Sequence, residues 1–175
     1  MNILNANPVD AAAKSVVFAD AETRGTDDHH DSLRLWLRLL TCTQMVEREI
    51  RARLRERFSI TLARFDLLAQ LERHPQGLRM GELSRRLMVT GGNVTGLTSE
   101  LVAEGFVART PIPEDRRAFA VCLTAKGKIV FDAMAKEHER WVIEMLADVP
   151  APERQQLHQM LGALKHSMLH QQEAR

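Results

Sequence analysis

The chain has 175 residues, which is enough for one domain with a substantial hydrophobic core. Only 5% of the residues are aromatic and tyrosine is absent, so stacking surface for single-stranded nucleic acid is scarce. Cys42 and Cys122 are too far apart for a disulfide framework or a metal-ligand motif, and no apolar run approaches the length of a membrane span. We therefore expect a cytoplasmic protein with no membrane partner, no metal and no cofactor.

The net charge of +1 is unevenly distributed along the chain. Residues 1–32 hold six carboxylates against two cations, a net charge of −4, which leaves +5 for residues 33–175. The first 31 residues also show no helical or strand periodicity and end in the polar run "RGTDDHHD". We predict a mobile acidic extension over residues 1–31, followed by a mildly basic body.

A long amphipathic helix is predicted directly after this extension, over residues 32–58. Apolar residues recur every three or four positions from Leu35 to Phe58, as expected for one face of a helix. The first half carries a second apolar set beside that face, formed by Leu33, Trp36, Leu37 and Leu40. Because the second half is polar on that side, we expect one end of this helix to pack against another chain.

Three shorter helices follow, and the last two form a helix-turn-helix pattern. The first begins near Thr61 and is stopped by "HPQG". The segments "MGELSRRLMV" and "TGGNVTGLTSELVAEGF" predict the other two, joined by a turn at residues 89–91. The last of these helices opens with Gly91 and Gly92, although glycine costs about 1 kcal/mol relative to alanine inside a helix.

The segment "FVARTPIPEDRRAFAVCLT" changes to the period-two alternation of a β-hairpin, with a charged tip at residues 114–117. Thr124 is a suitable cap for a long helix to about residue 148, and "PAPE" begins a final helix. The predicted fold is mainly α with a small β-hairpin wing. A winged helix-turn-helix occupies residues 59–124, and helical dimerisation regions flank it at residues 32–58 and 125–173.

A helix-turn-helix followed by a hairpin is typical of winged-helix proteins, whose second helix enters the major groove of DNA while the wing reaches the minor groove. The bare backbone at Gly91 and Gly92 would let phosphate approach the free N–H groups of the helix start. The predicted DNA contacts are Thr90, Gly91, Gly92, Asn93, Thr95, Thr98, Ser99, Arg116 and Arg117. Two alternatives stay open: glycines that only form the turn beside a solvated face, and a winged-helix protein-interaction module that does not read DNA.

The segment "LVAEGFVARTPIPEDRRAFAVCLTAKG", residues 101–127, resembles the signature of the MarR-type transcriptional regulators: a helix end, a glycine, a strand, an Asp-Arg-Arg wing and "LT..G" at the next helix. The resemblance covers roughly residues 32–170. It implies that Asp115 braces the wing by pairing with a nearby arginine, and that Arg116 or Arg117 enters the minor groove. It also implies a homodimer with interlocked first and last helices, usually acting as a repressor.

Apolar residues near both ends agree with a homodimer, because they exceed what one thin helical layer can bury. The predicted dimerisation residues are Leu33, Trp36, Leu37, Leu157, Leu161, Leu164 and Met168. The resemblance further implies release from DNA by a small anion, here an aromatic or alicyclic acid or its coenzyme A thioester whose catabolism is controlled. The candidate effector-lining residues, each of which plain core packing would also explain, are Trp36, Arg38, Leu40, Arg64, Phe65, Met134, His138 and Trp141.

A redox-sensing regulator is a further alternative, and it requires Cys42 to be an accessible thiolate. An enzyme is not expected, because the sequence has no glycine-rich phosphate loop, no HExxH motif and no nucleophile-elbow serine. His166 and His170 share a helix face, which a solvated surface explains better than a metal site.

Overall fold

The computed structural model describes residues 30–112 and 115–173, excluding the side chains of residues 115–118, 172 and 173. Nearly all of the extension predicted over residues 1–31 therefore lies outside the described residues. The chain divides into two compact units, Met1–Ser59 and Ile60–Arg175. In the described part of both units, no helix is long and apolar enough to cross a bilayer.

The first unit contains α1 (Asp31–Phe58), a helix of 28 residues that matches the one predicted over residues 32–58. Ion pairs one turn apart, such as Arg53 to Glu49 at 2.7 Å, support its polar half. Ser59 ends the helix in the left-handed region at φ 53°, and its N–H group donates to carbonyls of the last turn. The length follows from the uninterrupted run of helix-forming residues and this single stop.

The apolar residues of α1 are unequally exposed. Ile50 and Leu54 are buried. At the other end Leu33 is 52% and Trp36 is 56% exposed. Exposed leucine and tryptophan at one end of a helix indicate a surface that the single chain leaves uncovered.

The second unit carries five helices and three strands in its described residues. They are α2 (Leu62–Glu72), β1 (Leu78–Arg79), α3 (Met80–Leu87), α4 (Gly91–Ala103), β2 (Val107–Ile112), β3 (Asp115–Leu123), α5 (Ala125–Met145) and α6 (Ala151–Glu173). The predicted mainly helical fold with a small wing is confirmed. The α3–α4 pair is the helix-turn-helix, and β2 and β3 form the wing.

The wing belongs to a three-stranded antiparallel sheet with the order β1-β3-β2. The hairpin was predicted, whereas β1 was not, because a strand of two residues has no periodicity to detect. Leu78 pairs with Val121 in β3, which ties the wing to the start of the helix-turn-helix. Near the tip Pro111 pairs with Phe119 but Ile112 pairs with Asp115, so the register shifts there.

The turn between α3 and α4 begins one residue before its predicted position. Met88 adopts the left-handed conformation at φ 53°, and its side chain is 92% exposed. The Ser84 hydroxyl donates to the Val89 carbonyl at 2.6 Å, and the Val89 N–H donates to the Ser84 carbonyl at 3.2 Å. These paired bonds hold the turn in one geometry and fix where α4 begins.

The core of the second unit lies where α2, α3, α4 and the sheet meet. Its fully enclosed apolar side chains include Leu67, Leu68, Leu71, Leu83, Val94, Leu101, Val107 and Val121. Burial of this set from five elements fixes α4 against the sheet by the hydrophobic effect. The outer face of α4 is left to solvent.

The two last helices differ in their burial. Phe131, Met134 and Trp141 of α5 are buried, whereas Ile129 is 71% exposed. Ile129 lies two residues before Phe131, so helical spacing places it on the opposite side of α5. All side chains of α6 from residue 151 to residue 171 are exposed. An isolated helix of this kind gains no packing energy from the chain that carries it.

Candidate nucleic-acid interface

The start of α4 exposes bare backbone. Gly91 and Gly92 are exposed, and a methyl group at either position would meet no other atom of the chain within 4 Å. At Gly77, in contrast, φ is +83° and a methyl group would lie 2.4 Å from the Cys122 sulfur. The fold therefore requires glycine at position 77 but gives no internal reason for Gly91 or Gly92. Open space around a glycine also occurs elsewhere in the chain, as at Gly162. The start of α4 differs in having two adjacent glycines at an exposed helix N-terminus, where bare backbone permits close approach of a ligand.

The first amide groups of α4 remain available to a ligand. Thr90 is the N-cap residue, but its side chain forms no capping hydrogen bond. The first intrahelical bond runs from the Val94 N–H to the Thr90 carbonyl at 3.2 Å. Amide groups ahead of that bond lack helical acceptors, and together with the helix dipole they favour an anion at this end.

One predicted DNA contact is corrected by the structure. Thr98 is fully buried, and its hydroxyl lies 3.8 Å from the sulfur of Met80. It falls on the inward stripe between Val94 and Leu101, where its β-branched shape fills the space of a valine. Thr98 therefore packs the helix-turn-helix instead of facing DNA, and its assignment to the outer face was wrong.

The other polar residues of the predicted reading face are exposed. Asn93, Thr95 and Ser99 all lie on the solvent side of α4. The Thr95 hydroxyl donates to the Gly91 carbonyl at 2.9 Å and so leaves its acceptor lone pairs outward. With Gly96 also exposed, the outer face carries short side chains that permit close approach.

Arg109 is a basic residue of this surface that the sequence patterns did not single out. It extends from β2, and one of its terminal nitrogens donates to the Ser99 hydroxyl at 3.2 Å. Its guanidinium carbon lies 5.1 Å from the centroid of the Phe119 ring, a cation–π arrangement. Arg109 therefore links the reading helix to the wing. Its position in the alternating pattern of a strand was the available sequence signal. Its contact with Ser99 could be found only from the fold.

The wing residues are described by their backbone only. Asp115, Arg116 and Arg117 begin β3, beside the register shift at the tip. Their side chains lie outside the described part, so the bracing role of Asp115 and the groove contacts of the two arginines stay predictions. Further cations are exposed on the last turn of α3, where Arg85 and Arg86 line a depression of about 310 Å³.

The predicted effector residues of the second unit are packed together. Phe65 stacks on Phe131 at 5.6 Å between ring centroids, and the His138 ring lies 5.0 Å from Phe65. Met134 and Trp141 are buried on the same helix as His138. Burial lowers the pKa of His138 from its ordinary value of 6.5, so this ring is neutral near pH 7. These contacts fit both a core and the wall of an apolar site.

The remaining effector candidates are Arg64 of α2 and three residues of α1. Arg64 forms an ion pair with Glu104, and its Nε is buried without a hydrogen-bond partner. In the first unit Trp36 and Arg38 are exposed and Leu40 is half-buried. Among the described residues no three His, Cys, Asp or Glu side chains gather as metal ligands.

A separate cavity of about 270 Å³ lies between the end of α2 and the start of α5. Its lining consists of Leu71, Glu72, Pro75, Leu123, Thr124, Ala125 and Lys128. The Lys128 ammonium donates to Asp132 at 2.5 Å, and this bond raises the pKa of Lys128. The cavity shares no residue with the predicted effector set.

The helix-turn-helix, the adjoining wing and the exposed, amide-rich start of α4 define the class of winged helix-turn-helix DNA-binding proteins. A family model described as MarR family (MarR_2) matches residues 58–118. The chain belongs to the MarR family, and it is a DNA-binding transcriptional regulator and not an enzyme.

Relatives and solved structures agree with this assignment. The uncharacterized HTH-type transcriptional regulator YdgJ of Bacillus subtilis is 32% identical over 109 residues, which cover 62% of this chain and 66% of YdgJ. The transcriptional activatory protein BadR of Rhodopseudomonas palustris is 33% identical over 118 residues, 66% of this chain and 67% of BadR. The crystal structure of a MarR family transcriptional regulator from Silicibacter pomeroyi has a TM-score of 0.70 and 33% identity, covering 82% of this chain and 99% of that one.

Proposed function

We propose that this regulator binds a two-fold symmetric operator as a homodimer, with α4 of each protomer in the major groove and each wing at the neighbouring minor groove. The exposed, side-chain-free start of α4 at Gly91 and Gly92 carries this proposal. Asn93, Thr95 and Ser99 supply short donors and acceptors for base edges and phosphate oxygens. Arg109 adds a cation between α4 and the wing.

Residues 59–124 form the DNA-reading region in this proposal, and residues 32–58 and 125–173 form the dimerisation region. The proposal rests on unpartnered apolar surface. On α6, Leu157, Leu161, Leu164 and Met168 are between 40% and 55% exposed. A second copy of the chain is the occupant we assign, because an identical chain supplies matching apolar surface from its own α6 and from the exposed end of its α1, which carries Leu33, Trp36 and the half-buried Leu37. Two-fold symmetry then requires half-sites about 34–36 Å apart.

The wing arginines give the sharpest test of DNA binding. A duplex selected by the wild-type protein from a random-sequence library serves as the probe, and its affinity is measured over a range of salt concentrations. The double variant Arg116→Ala and Arg117→Ala should weaken binding and reduce the slope of log affinity against log salt by about 1 to 2 per protomer, because each phosphate contact contributes roughly 0.9.

The control for the wing variant removes the same charge elsewhere. Arg73 and Lys136 are exposed at the end of α2 and on α5, outside the proposed reading surface and away from the leucine stripe of α6. Their joint replacement by alanine should leave most of the salt slope intact. An unchanged slope in the wing variant would instead favour the protein-interaction module, as would a wild-type protein that enriches no sequence.

The proposed effector is an aromatic or alicyclic acid, or its coenzyme A thioester, that releases the dimer from DNA. The packed aromatic group of Phe65, Phe131 and His138 supports an apolar ligand, and Arg64 of the same unit is the cation assigned to its anionic group. Benzoate, cyclohexanecarboxylate and their thioesters should displace the selected duplex, whereas acetate and acetyl-coenzyme A should not. Indifference to the entire aromatic and alicyclic set removes this proposal.

Repression is the proposed mode, since a dimer seated on an operator excludes other proteins from that DNA. Activation is the second candidate, because the relative BadR is named a transcriptional activatory protein. A reporter gene behind the selected operator separates them: loss of the regulator raises expression under repression and lowers it under activation. A redox response through the exposed Cys42 predicts peroxide-induced release that Cys42→Ser abolishes.

A further inference from the structure

The C-terminal end of α4 is held by the first turn of α5. The carbonyl groups of the three residues that follow Ala103, the last residue of α4, accept hydrogen bonds from Thr124 and Lys126 at the start of α5. The Thr124 hydroxyl donates to the Gly105 carbonyl at 2.7 Å, and the Thr124 N–H donates to the Phe106 carbonyl at 3.1 Å. The Lys126 ammonium donates to the Glu104 carbonyl at 2.8 Å. Three successive carbonyls after the reading helix are thus bound to α5.

The Thr124 hydroxyl serves both helices at once. Its oxygen accepts a hydrogen bond at 2.9 Å from the Gly127 N–H and thereby caps α5. Its hydrogen is used on the Gly105 carbonyl that follows α4. Because one atom joins the start of α5 to the end of α4, the two helix ends cannot shift independently without breaking one of these bonds.

Gly127 makes this close contact possible. It is buried, and a methyl group there would lie 1.9 Å from the Phe106 carbonyl oxygen. The backbone of α5 therefore packs directly on Phe106, three residues after the end of α4. Arg64 of α2 pairs with the Glu104 side chain at the same point, which adds a third element to the junction.

We propose that Thr124, supported by Gly127 and Lys126, is a positioning residue for DNA reading: it sets the orientation of α4 relative to α5. This inference rests on the proposed operator binding. The inference also assigns a route for regulation. Because α5 belongs to the proposed dimerisation region, a movement of α5 is passed to α4 through this junction, without any change in the residues that contact DNA.

The test compares operator affinity with affinity for a scrambled duplex of equal composition. Thr124→Val keeps the side-chain shape but removes the hydroxyl bonds to Gly105, Phe106 and Gly127. Each bond is worth about two- to tenfold in an equilibrium, so the ratio of selected-duplex to scrambled-duplex affinity should fall about tenfold. Affinity for the scrambled duplex should remain unchanged, because the reading surface keeps its charge. Thr124→Ser retains the hydroxyl and should restore the ratio to within about twofold.

The matched control is Thr61→Val, which removes the equivalent hydroxyl cap of α2, where Thr61 accepts from the Arg64 N–H at 3.4 Å. It should lower the melting temperature without changing the affinity ratio.

Lys126→Met is the second variant: Lys126 is exposed, so the fold tolerates the change, and its ratio should fall about threefold. If Thr124→Val folds and keeps the wild-type ratio of selected-duplex to scrambled-duplex affinity, the inference is overturned. If Thr124→Val does not fold, a wild-type ratio in Lys126→Met overturns it. Neither result contradicts operator binding. Failure of the wild-type protein to prefer any sequence would reject the proposed function itself.

Discussion

Gly92→Ala is expected to stabilise the free protein by up to about 1 kcal/mol and to weaken operator binding about tenfold or more. The stabilisation follows from helix propensity, because alanine loses less backbone entropy than glycine and the new methyl group meets no atom of the chain within 4 Å. The loss of affinity follows from the proposed docking, in which the same methyl group would stand between the amide-rich start of α4 and a phosphate. Opposite signs in one variant distinguish a ligand-facing glycine from a structural one.

Thermal unfolding and fluorescence anisotropy with the selected duplex measure the two effects of Gly92→Ala. Gly162→Ala is the matched control, since Gly162 is exposed in α6 and a methyl group there also has no neighbour within 4 Å. Helical spacing places Gly162 away from the stripe of Leu157 and Leu161, so it should show the stabilisation alone. Retention of full operator affinity by Gly92→Ala would mean that DNA does not approach the start of α4.

The contrast between Gly92 and Gly127 shows where sequence reasoning reaches its limit. Both glycines lie near the start of a helix, and the sequence offers no difference in local pattern. Gly127 is required by a carbonyl 1.9 Å from its missing methyl group, and that carbonyl belongs to Phe106, 21 residues earlier. Gly92 has no such neighbour. The sequence predicted a reason for glycine at the start of α4. Only tertiary packing distinguishes a glycine that the fold requires from one that contacts nothing inside the chain.

The helices and the wing were predictable because their signals are local. The apolar periodicity of α1 lies within one element, as does the capping bond that Thr124 accepts from Gly127, and the structure places both helices where these signals predict them. Strand β1 escaped prediction because two residues carry no period and its partner in β3 is 43 positions away at Val121. Long-range pairing was therefore the missing information.

The DNA-reading face was predicted from polarity, and polarity misplaced Thr98. Its spacing of four residues from Val94 and three from Leu101 is the inward stripe of the helix, a stronger signal than its hydroxyl group. Arg109 was missed for the opposite reason, since nothing in a strand pattern shows that it contacts Ser99 on another element. Contacts between side chains of different elements can be found only from the fold. Helical spacing alone, in contrast, was enough to predict that Thr98 faces inward.

The reading helix is fixed at both ends by different chemistry. The α3–α4 turn, with its paired bonds between Ser84 and Val89, sets the start. The Thr124 junction sets the end. Between these two ends, the outer face of α4 carries only short side chains. The orientation of α4 therefore depends on the α3–α4 turn, the Thr124 junction and Arg109 more than on the side chains of that face. A movement of α5 therefore displaces the Thr124 junction and changes the orientation of α4, so DNA binding can be controlled without any change within α4.

Leu161→Glu is expected to convert the proposed dimer into a monomer and to abolish two-half-site binding. Burial of a leucine contributes about 1.5–3 kcal/mol, and an unpaired buried carboxylate costs several kcal/mol more. Two-fold symmetry introduces the change twice, so the dimer dissociation constant should rise by about 10⁴ or more. The fold of each protomer should survive, because Leu161 is already 40% exposed in the single chain and α6 has no buried residue among those described.

Sedimentation at micromolar concentration measures this association, and circular dichroism checks that helix content is retained. Ala163→Glu is the control: it introduces the same charge on α6, but helical spacing places it about 160° around the helix from Leu161. Ala163→Glu should remain a dimer and keep its affinity for the full operator, whereas Leu161→Glu should bind full and half operators with equal, weak affinity. If Leu161→Glu remained dimeric, the leucine stripe of α6 would lie outside the interface, and the exposed end of α1 would have to provide the contact instead.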